Sequence, residues 1–198
     1  MVGHERYQEM TASQYDRKTL MHFLCRLPAD KRLLPIVCSI QHKKILDVGL
    51  GTGEYTKLLL EHANQIVGVD QNPHLCALPI TVHAGDAGNL SQLLGNERFD
   101  IVLSTWMTDY LDAQHLQRFF VEAKSVLHPN GRIITTVIER YGFGAFYTTI
   151  AKLVRGVDKY THRKKTIKQM LYGAGFKQIE FIALPAWIIP WAQLVIAE

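Results

Sequence analysis

The stretch "ILDVGLGTGEYTKLL", residues 45–59, sets three glycines, Gly49, Gly51 and Gly53, at alternate positions behind an apolar run. KKILDV reads as a short strand and GTGEYTKLLLEHA as the helix that follows it. Without a Cβ, the backbone can turn tightly at such positions and a ligand can lie against it. Ligands of open parallel sheets sit at this kind of junction, outside the carboxyl ends of the strands. The spacing excludes two common ones. A dinucleotide loop needs glycine at its first, third and sixth positions, and the sixth here is Glu54. A carboxylate there would repel a pyrophosphate seated on the helix N-terminus. The Gly-Lys-Ser/Thr of a P-loop is also missing.

Outward from this loop, strand and helix alternate. QIVGVD and ITVHAGD read as the second and third strands, NLSQLLGNE as a short helix, and FDIVLST as a fourth strand apolar enough to be buried on both faces. DAQHLQRFFVEAKSVLH is an amphipathic helix that should stop at the turn signal Pro129-Asn130-Gly131, with Asp112 as its N-cap. GRIITTVI makes a fifth strand and RKKTIKQMLYGA a helix ended by Gly173 and Gly175. FKQIEFIAL and AQLVIAE close the chain as two strands. The alternation predicts an α/β fold, a doubly wound and mostly parallel seven-stranded sheet. The last two strands, with no helix between them, must pair antiparallel or lie at an edge. Residues 13–40 read as helical, cut into short pieces by Pro28 and Pro35.

Composition narrows the function. The 198 residues suit one domain, and 47% hydrophobic with 20% charged residues is the balance of a globular chain. A formal charge of +4 falls short of the basic stripe of a nucleic-acid binder, so DNA is not expected. Three scattered cysteines suggest neither a disulfide framework nor a metal site, and a cytoplasmic setting is the expectation. MVGHERYQEM lacks the apolar core of a signal peptide. FIALPAWIIPWAQLVIA, residues 181–197, is interrupted by Pro185, Pro190 and Gln193, so it reads as two buried strands and not as a transmembrane segment.

Three aspartates complete the ligand reading. Asp47 precedes the first glycine by two residues, Asp70 ends the second strand, and Asp86 ends the third. A carboxylate at the end of strand two can accept from both hydroxyls of a ribose, and one at the end of strand three from an exocyclic amine. A nucleoside joined to a cationic group without phosphate fits, and S-adenosylmethionine is such a molecule. Two of them also have a purely local use: Asp47 capping the loop, Asp86 capping the next helix.

DVGLGTGEYTKLL, VGVDQNP, HAGDAGNL, FDIVLST and LHPNGRIITT follow one another as they do in the class I S-adenosylmethionine-dependent methyltransferases, which this chain resembles over about residues 43–138. GAGFKQIEF resembles that family's late helix-to-strand junction. The resemblance implies one Rossmann-like domain over 1–198. It would comprise a helical cap (1–42), a cofactor-binding core (43–138), a substrate lid (139–160) and a C-terminal helix and strand hairpin (161–198). Its cofactor would be S-adenosyl-L-methionine. Asp47 and the backbone of Gly49, Leu50, Gly51 and Gly53 would bracket the methionine moiety. Asp70 would bind the ribose, with Gln71 beside the adenine and Asp86 and Ala87 reading its edge. Ser104 and Thr105 would lie under the sulfonium, and Tyr15 would cover the cofactor. Leu50 departs from the small residue or cysteine often found there.

The acceptor is less legible. STWMTDY replaces the Asn/Asp-Pro-Pro-aromatic run of many amino-methyltransferases, and no catechol-type metal set stands out. Glu139, Tyr141 and His115 are candidate catalytic groups, alongside Tyr110 and His162. Trp106, Phe143, Phe146 and Tyr147 are candidate substrate contacts, with Trp187 and Trp191; core packing accounts for the aromatics equally well. KYTHRKKTIKQM, residues 159–170, is either a solvated helix face or an anion-facing one. The expectation is methyl transfer to a small organic acceptor, aromatic or lipophilic. RNA or protein methylation, a non-catalytic cofactor-binding partner subunit and a homodimer stay open.

Overall fold

The computed structural model describes residues 7–16, 26–63, 65–140, 144, 148, 149, 158–186 and 189–198. Two helices, α1 (Ala12–Tyr15) and α2 (Leu27–Cys38), precede β1 (Lys44–Val48), α3 (Glu54–Leu59), β2 (Gln65–Asp70), β3 (Thr81–Ala84), α4 (Leu90–Leu94) and β4 (Phe99–Ser104). There follow α5 (Ala113–Ser125), β5 (Leu127–Ile138), α6 (Lys164–Gly173), β6 (Ile179–Ala186) and β7 (Ile189–Ala197).

The strands form one sheet in the order β3-β2-β1-β4-β5-β7-β6. Pairing is parallel from β3 to β5, and β7 runs antiparallel to both β5 and β6. The expected fold class is therefore the observed one. Chain order reverses direction between β1 and β4, which opens a crevice at their carboxyl ends.

Alternation along the strands divides the core between the two faces. Leu46, Val48 and Val102 face α4, α5 and α6, among Phe119, Phe120, Leu116 and Leu171. Ile45, Ile101, Leu103 and Ile134 face α2 and α3, among Leu33, Val37, Tyr55 and Leu59. The described residues of the apolar stretch 181–197 lie in β6 and β7, which pair antiparallel, and among the described residues no helix is long and apolar enough to cross a membrane.

Two boundaries differ from expectation. Pro35 lies inside α2 and does not end it, while Pro28 occupies its first turn, where the missing donor is harmless. The helix continues because Leu33 and Val37, on either side of Pro35, are fully buried. Pro129, Asn130 and Gly131 fall within β5 instead of in a separate turn. The ladder with β4 absorbs them as a register shift, pairing Phe99 with Leu127 and then Ile101 with Arg132.

Candidate functional site

The β1–α3 loop occupies the crevice. Gly49, Gly51 and Gly53 all have left-handed backbones, with φ of 72°, 55° and 78°. Space as well as conformation excludes side chains: a Cβ at Gly49 would lie 2.3 Å from Met107 Cγ, and one at Gly51 2.8 Å from the Tyr15 ring. Leu50 is buried, and its side chain packs on Gly68 of β2, so its backbone is what it offers to a ligand.

Asp70 closes this loop from the end of β2. It is 3% exposed, and its Oδ2 accepts from the Gly51 amide at 2.9 Å. Its Oδ1 accepts from the Asn72 amide at 2.8 Å and from the Tyr7 hydroxyl at 2.9 Å. Asp86 and Gln71 meet one strand further on, Gln71 Nε2 donating to Asp86 Oδ2 at 2.7 Å. The other Asp86 oxygen accepts from the Gly88 amide at 2.7 Å, so the local capping use is present as well, and Ala87 starts the short helical turn it caps.

Beneath the loop, Asp47 is 2% exposed. Its Oδ2 accepts from the Thr56 hydroxyl of α3, while its Oδ1 is buried without a partner among the described residues. Burial pushes its carboxyl up to about 7, the Thr56 bond opposes this, and the Asp70 charge adds to it. Ser104, fully buried at the end of β4, likewise has an unpartnered Oγ, and the half-buried Thr105 follows it. Partnerless buried oxygens of this kind are uncommon.

An aromatic wall rises beside the cradle. Trp106 holds a left-handed backbone (φ 58°), fixed by its amide donating to Thr136 Oγ1 at 2.6 Å. Its ring stacks on Trp191 of β7 at 5.4 Å between centroids and 14° between planes. The Arg26 guanidinium lies over both Trp106 and Tyr55, and pairs with Glu54 at 2.6 Å. Glu54, 56% exposed, thus stands at the first turn of α3 already neutralised by a cation.

The catalytic candidates separate. Glu139 and His162 form an isolated parallel bridge at the carboxyl end of β5. Glu139 accepts from Gln193 at 3.0 Å. His162 is 7% exposed, and its Nε2 lies 3.0 Å from the Leu111 carbonyl, which requires the proton on Nε2 and leaves Nδ1 as the acceptor. Burial pulls its pKa below the usual imidazole value. His115 is instead tied to Asp112, the N-cap of its own helix, and points to solvent. Tyr110 is partly exposed beneath Lys159. Tyr141, Phe143, Phe146, Tyr147 and Trp187, and with them most of the expected lid, lie outside the described residues.

A family model described as a methyltransferase domain matches residues 46–135, from β1 into β5, and so spans the glycine loop, Asp47, Asp70, Asp86 and Ser104. The stretch from β1 into β5 is thus similar to a methyltransferase domain. A relative from Anoxybacillus flavithermus, described only as a methyltransferase, is 28% identical over 110 residues, and the chain spans about half (51%) of that relative's length. Magnesium protoporphyrin IX methyltransferase from Synechocystis PCC 6803, solved with SAH bound, superposes with a TM-score of 0.72 at 14% identity, covering 99% of this chain and 94% of that one. A methyltransferase of Haloferax volcanii in complex with the Trm112 activator gives a TM-score of 0.67 at 15% identity, covering 89% and 91%. At these identities the two structural likenesses are of fold.

S-adenosylmethionine, the cofactor implied by the resemblance, fits the cradle as built. The loop leaves backbone exposed where side chains are sterically excluded, two carboxylates face it, and one of them keeps a buried oxygen unpartnered. Several contributors to the candidate site carry no signal in sequence. Tyr7 and Asp70 are 63 residues apart, and the Thr56 bond to Asp47 depends on α3 packing over β1. The Asn72 amide could have been found from the DQN run, since the side chain of an aspartate such as Asp70 commonly accepts from the amide two residues on and ties down a turn.

Proposed function

We propose that this domain transfers the methyl group of S-adenosylmethionine to a small organic acceptor of aromatic or lipophilic character. The supporting observation is the juxtaposition of an acidic, glycine-lined cradle with the Trp106–Trp191 stack at the ends of β4 and β7. The cofactor supplies an electrophilic methyl on a sulfonium and a neutral thioether leaving group. In this reading Asp47 and the Gly49–Gly53 backbone hold the methionine moiety, Asp70 the ribose, and Gln71, Asp86 and Ala87 the adenine. Ser104 and Thr105 lie under the sulfonium, and Tyr15 covers the site. Residues 1–42 act as the cap, 43–138 as the core and 139–160 as the lid.

The chain's own task is alignment. Holding acceptor and methyl in line can remove up to about 7–11 kcal/mol of barrier. Trp106, anchored through its amide and indole and backed by Trp191, offers a fixed planar surface against which an aromatic acceptor can lie. A base is needed only if the acceptor loses a proton during attack. Glu139 and His162 stand nearest that task, at the strand end where acceptors bind.

A second reading, methylation of RNA or protein with a partner subunit, rests on the Haloferax volcanii neighbour's activator complex and on the exposed basic residues Arg163, Lys164, Lys165 and Lys168. Calorimetric titration with S-adenosylmethionine and NAD in parallel, followed by labelled methyl transfer to panels of phenols, amines and RNA, tests both. Binding of the first ligand alone, lost in Asp70→Ala, with label on a small aromatic, is the expected result. Label on RNA with steep salt dependence would favour the second reading. No binding of S-adenosylmethionine would overturn both.

A further inference from the structure

Residues 7–16 lie across the cradle and bind to its ribose-binding carboxylate. Tyr7 donates to Asp70 Oδ1, and Asn72 Nδ2 donates back to the carbonyls of Tyr7 and Met10 at 2.9 and 3.1 Å. Tyr15 rests on Gly51, its ring edge-on to Tyr7 at 6.0 Å, and Thr52 donates to Asp16 at 2.9 Å. The segment's one helix, α1, spans four residues, none of them buried.

A carboxylate offers about four acceptor positions, two on each oxygen. Three of those on Asp70 are filled, Oδ1 doubly. A ribose diol brings two donors, one for each oxygen, so one present donor must leave. The Gly51 and Asn72 amides cannot leave without unmaking the loop and the turn that define the site. Tyr7 can. Burial and the Asp70 charge raise its hydroxyl pKa and keep it a donor, so it competes with a ribose hydroxyl and does not complement it.

We propose that Tyr7 holds the place of one ribose hydroxyl on Asp70, making residues 7–10 a strap that must release the carboxylate for cofactor to bind while Tyr15 keeps its place over the site. This rests on the S-adenosylmethionine reading of the site. Apparent affinity is then lowered by the fraction of molecules with the strap closed. Weakening the strap without touching Asp70 should raise affinity.

The test is calorimetric titration of the full chain with S-adenosylhomocysteine, for the unmodified protein, Tyr7→Phe and Asn72→Ala, with hydrogen exchange read over residues 7–16. Circular dichroism confirms that each variant is folded. The expected result is binding about 2- to 10-fold tighter in Tyr7→Phe, the weight of one hydrogen bond, with a gain of the same sign in Asn72→Ala. The Met10 amide, which donates to the Tyr7 carbonyl, should exchange faster in the complex than in the free protein. If the unmodified protein binds but Tyr7→Phe binds equally or more weakly, or exchange at the Met10 amide slows on binding, the strap is overturned and the cofactor reading stands. If no form binds, the cofactor reading fails and takes the strap with it.

Discussion

The indole N–H of Trp106 donates to the Tyr55 hydroxyl at 2.7 Å, and that hydroxyl donates onward to Asp30 Oδ1 at 2.5 Å. One hydroxyl thus joins the strand end carrying the aromatic wall to the helix α2 that covers it. In Tyr55→Phe the Trp106 N–H and the Asp30 carboxyl both lose a partner. Each buried group left unpaired costs about 1–3 kcal/mol, so urea unfolding should show a loss in that range or somewhat above it. The Trp106 emission should shift at the same time.

Asp30 and Asp47 make stability depend on pH. Burial pushes Asp30 up to about 6 and Asp47 up to about 7. Both folded-state values lie above the ordinary carboxylate value, so the folded state favours the protonated forms. Their contribution is fully present below about pH 4 and is lost as pH rises through 6 and 7. Asp47→Asn, which cannot ionise, should flatten the fall in denaturation midpoint between pH 4 and pH 7 relative to the unmodified protein.

Cofactor binding should then release protons. The unpartnered Oδ1 of Asp47 would accept from the amino group of the methionine moiety, which favours its ionised form. At pH 6 the heat of binding should vary with the ionisation enthalpy of the buffer. The dependence at pH 6 should be absent in Asp47→Asn.

Gly51→Ala tests the loop. The new Cβ would take a left-handed φ of 55° and meet the Tyr15 ring at 2.8 Å. The backbone conformation alone costs about 1–2 kcal/mol, and Tyr15 must also move. The expected outcome is a lower melting temperature and a smaller upward shift on adding S-adenosylhomocysteine, read by a thermal melt.

Lys159 and Asp109 form an ion pair at 2.5 Å, with side chains 5% and 4% exposed. Removing one partner of a buried pair costs about 3–5 kcal/mol, since the other charge remains out of water. Lys159→Met should therefore be strongly destabilising by chemical denaturation. The double variant Lys159→Met/Asp109→Leu should recover much of the loss, a coupling that a double-mutant cycle measures.

What was legible in sequence is what local chemistry decides. Strand QIVGVD is observed as Gln65–Asp70, bounded by its apolar run, and the three glycines have the positive φ that their spacing suggested. Pro35 misled because local cost was outweighed by burial of Leu33 and Val37 on the sheet. Pro129-Asn130-Gly131 misled because β4 offers a ladder that can take up a shift. The hydrogen bond from Tyr7 to Asp70 and the left-handed Trp106 were out of reach, as each is set by a partner 63 or 30 residues away. No periodicity carries that information.

The place of β7 has a consequence for how the chain acquires its structure. It is the seventh strand in sequence but the sixth in space, inserted between β5 and β6. Until it arrives, β5 presents a bare edge of Ile133 to Ile138, and β6 has nothing to join. Sheet closure therefore waits on pairings separated by about sixty residues, which are entropically slow to form. An intermediate complete through β5 would expose an apolar, unpaired strand open to self-association. Chaperone dependence and aggregation on slow refolding are the behaviour this topology favours.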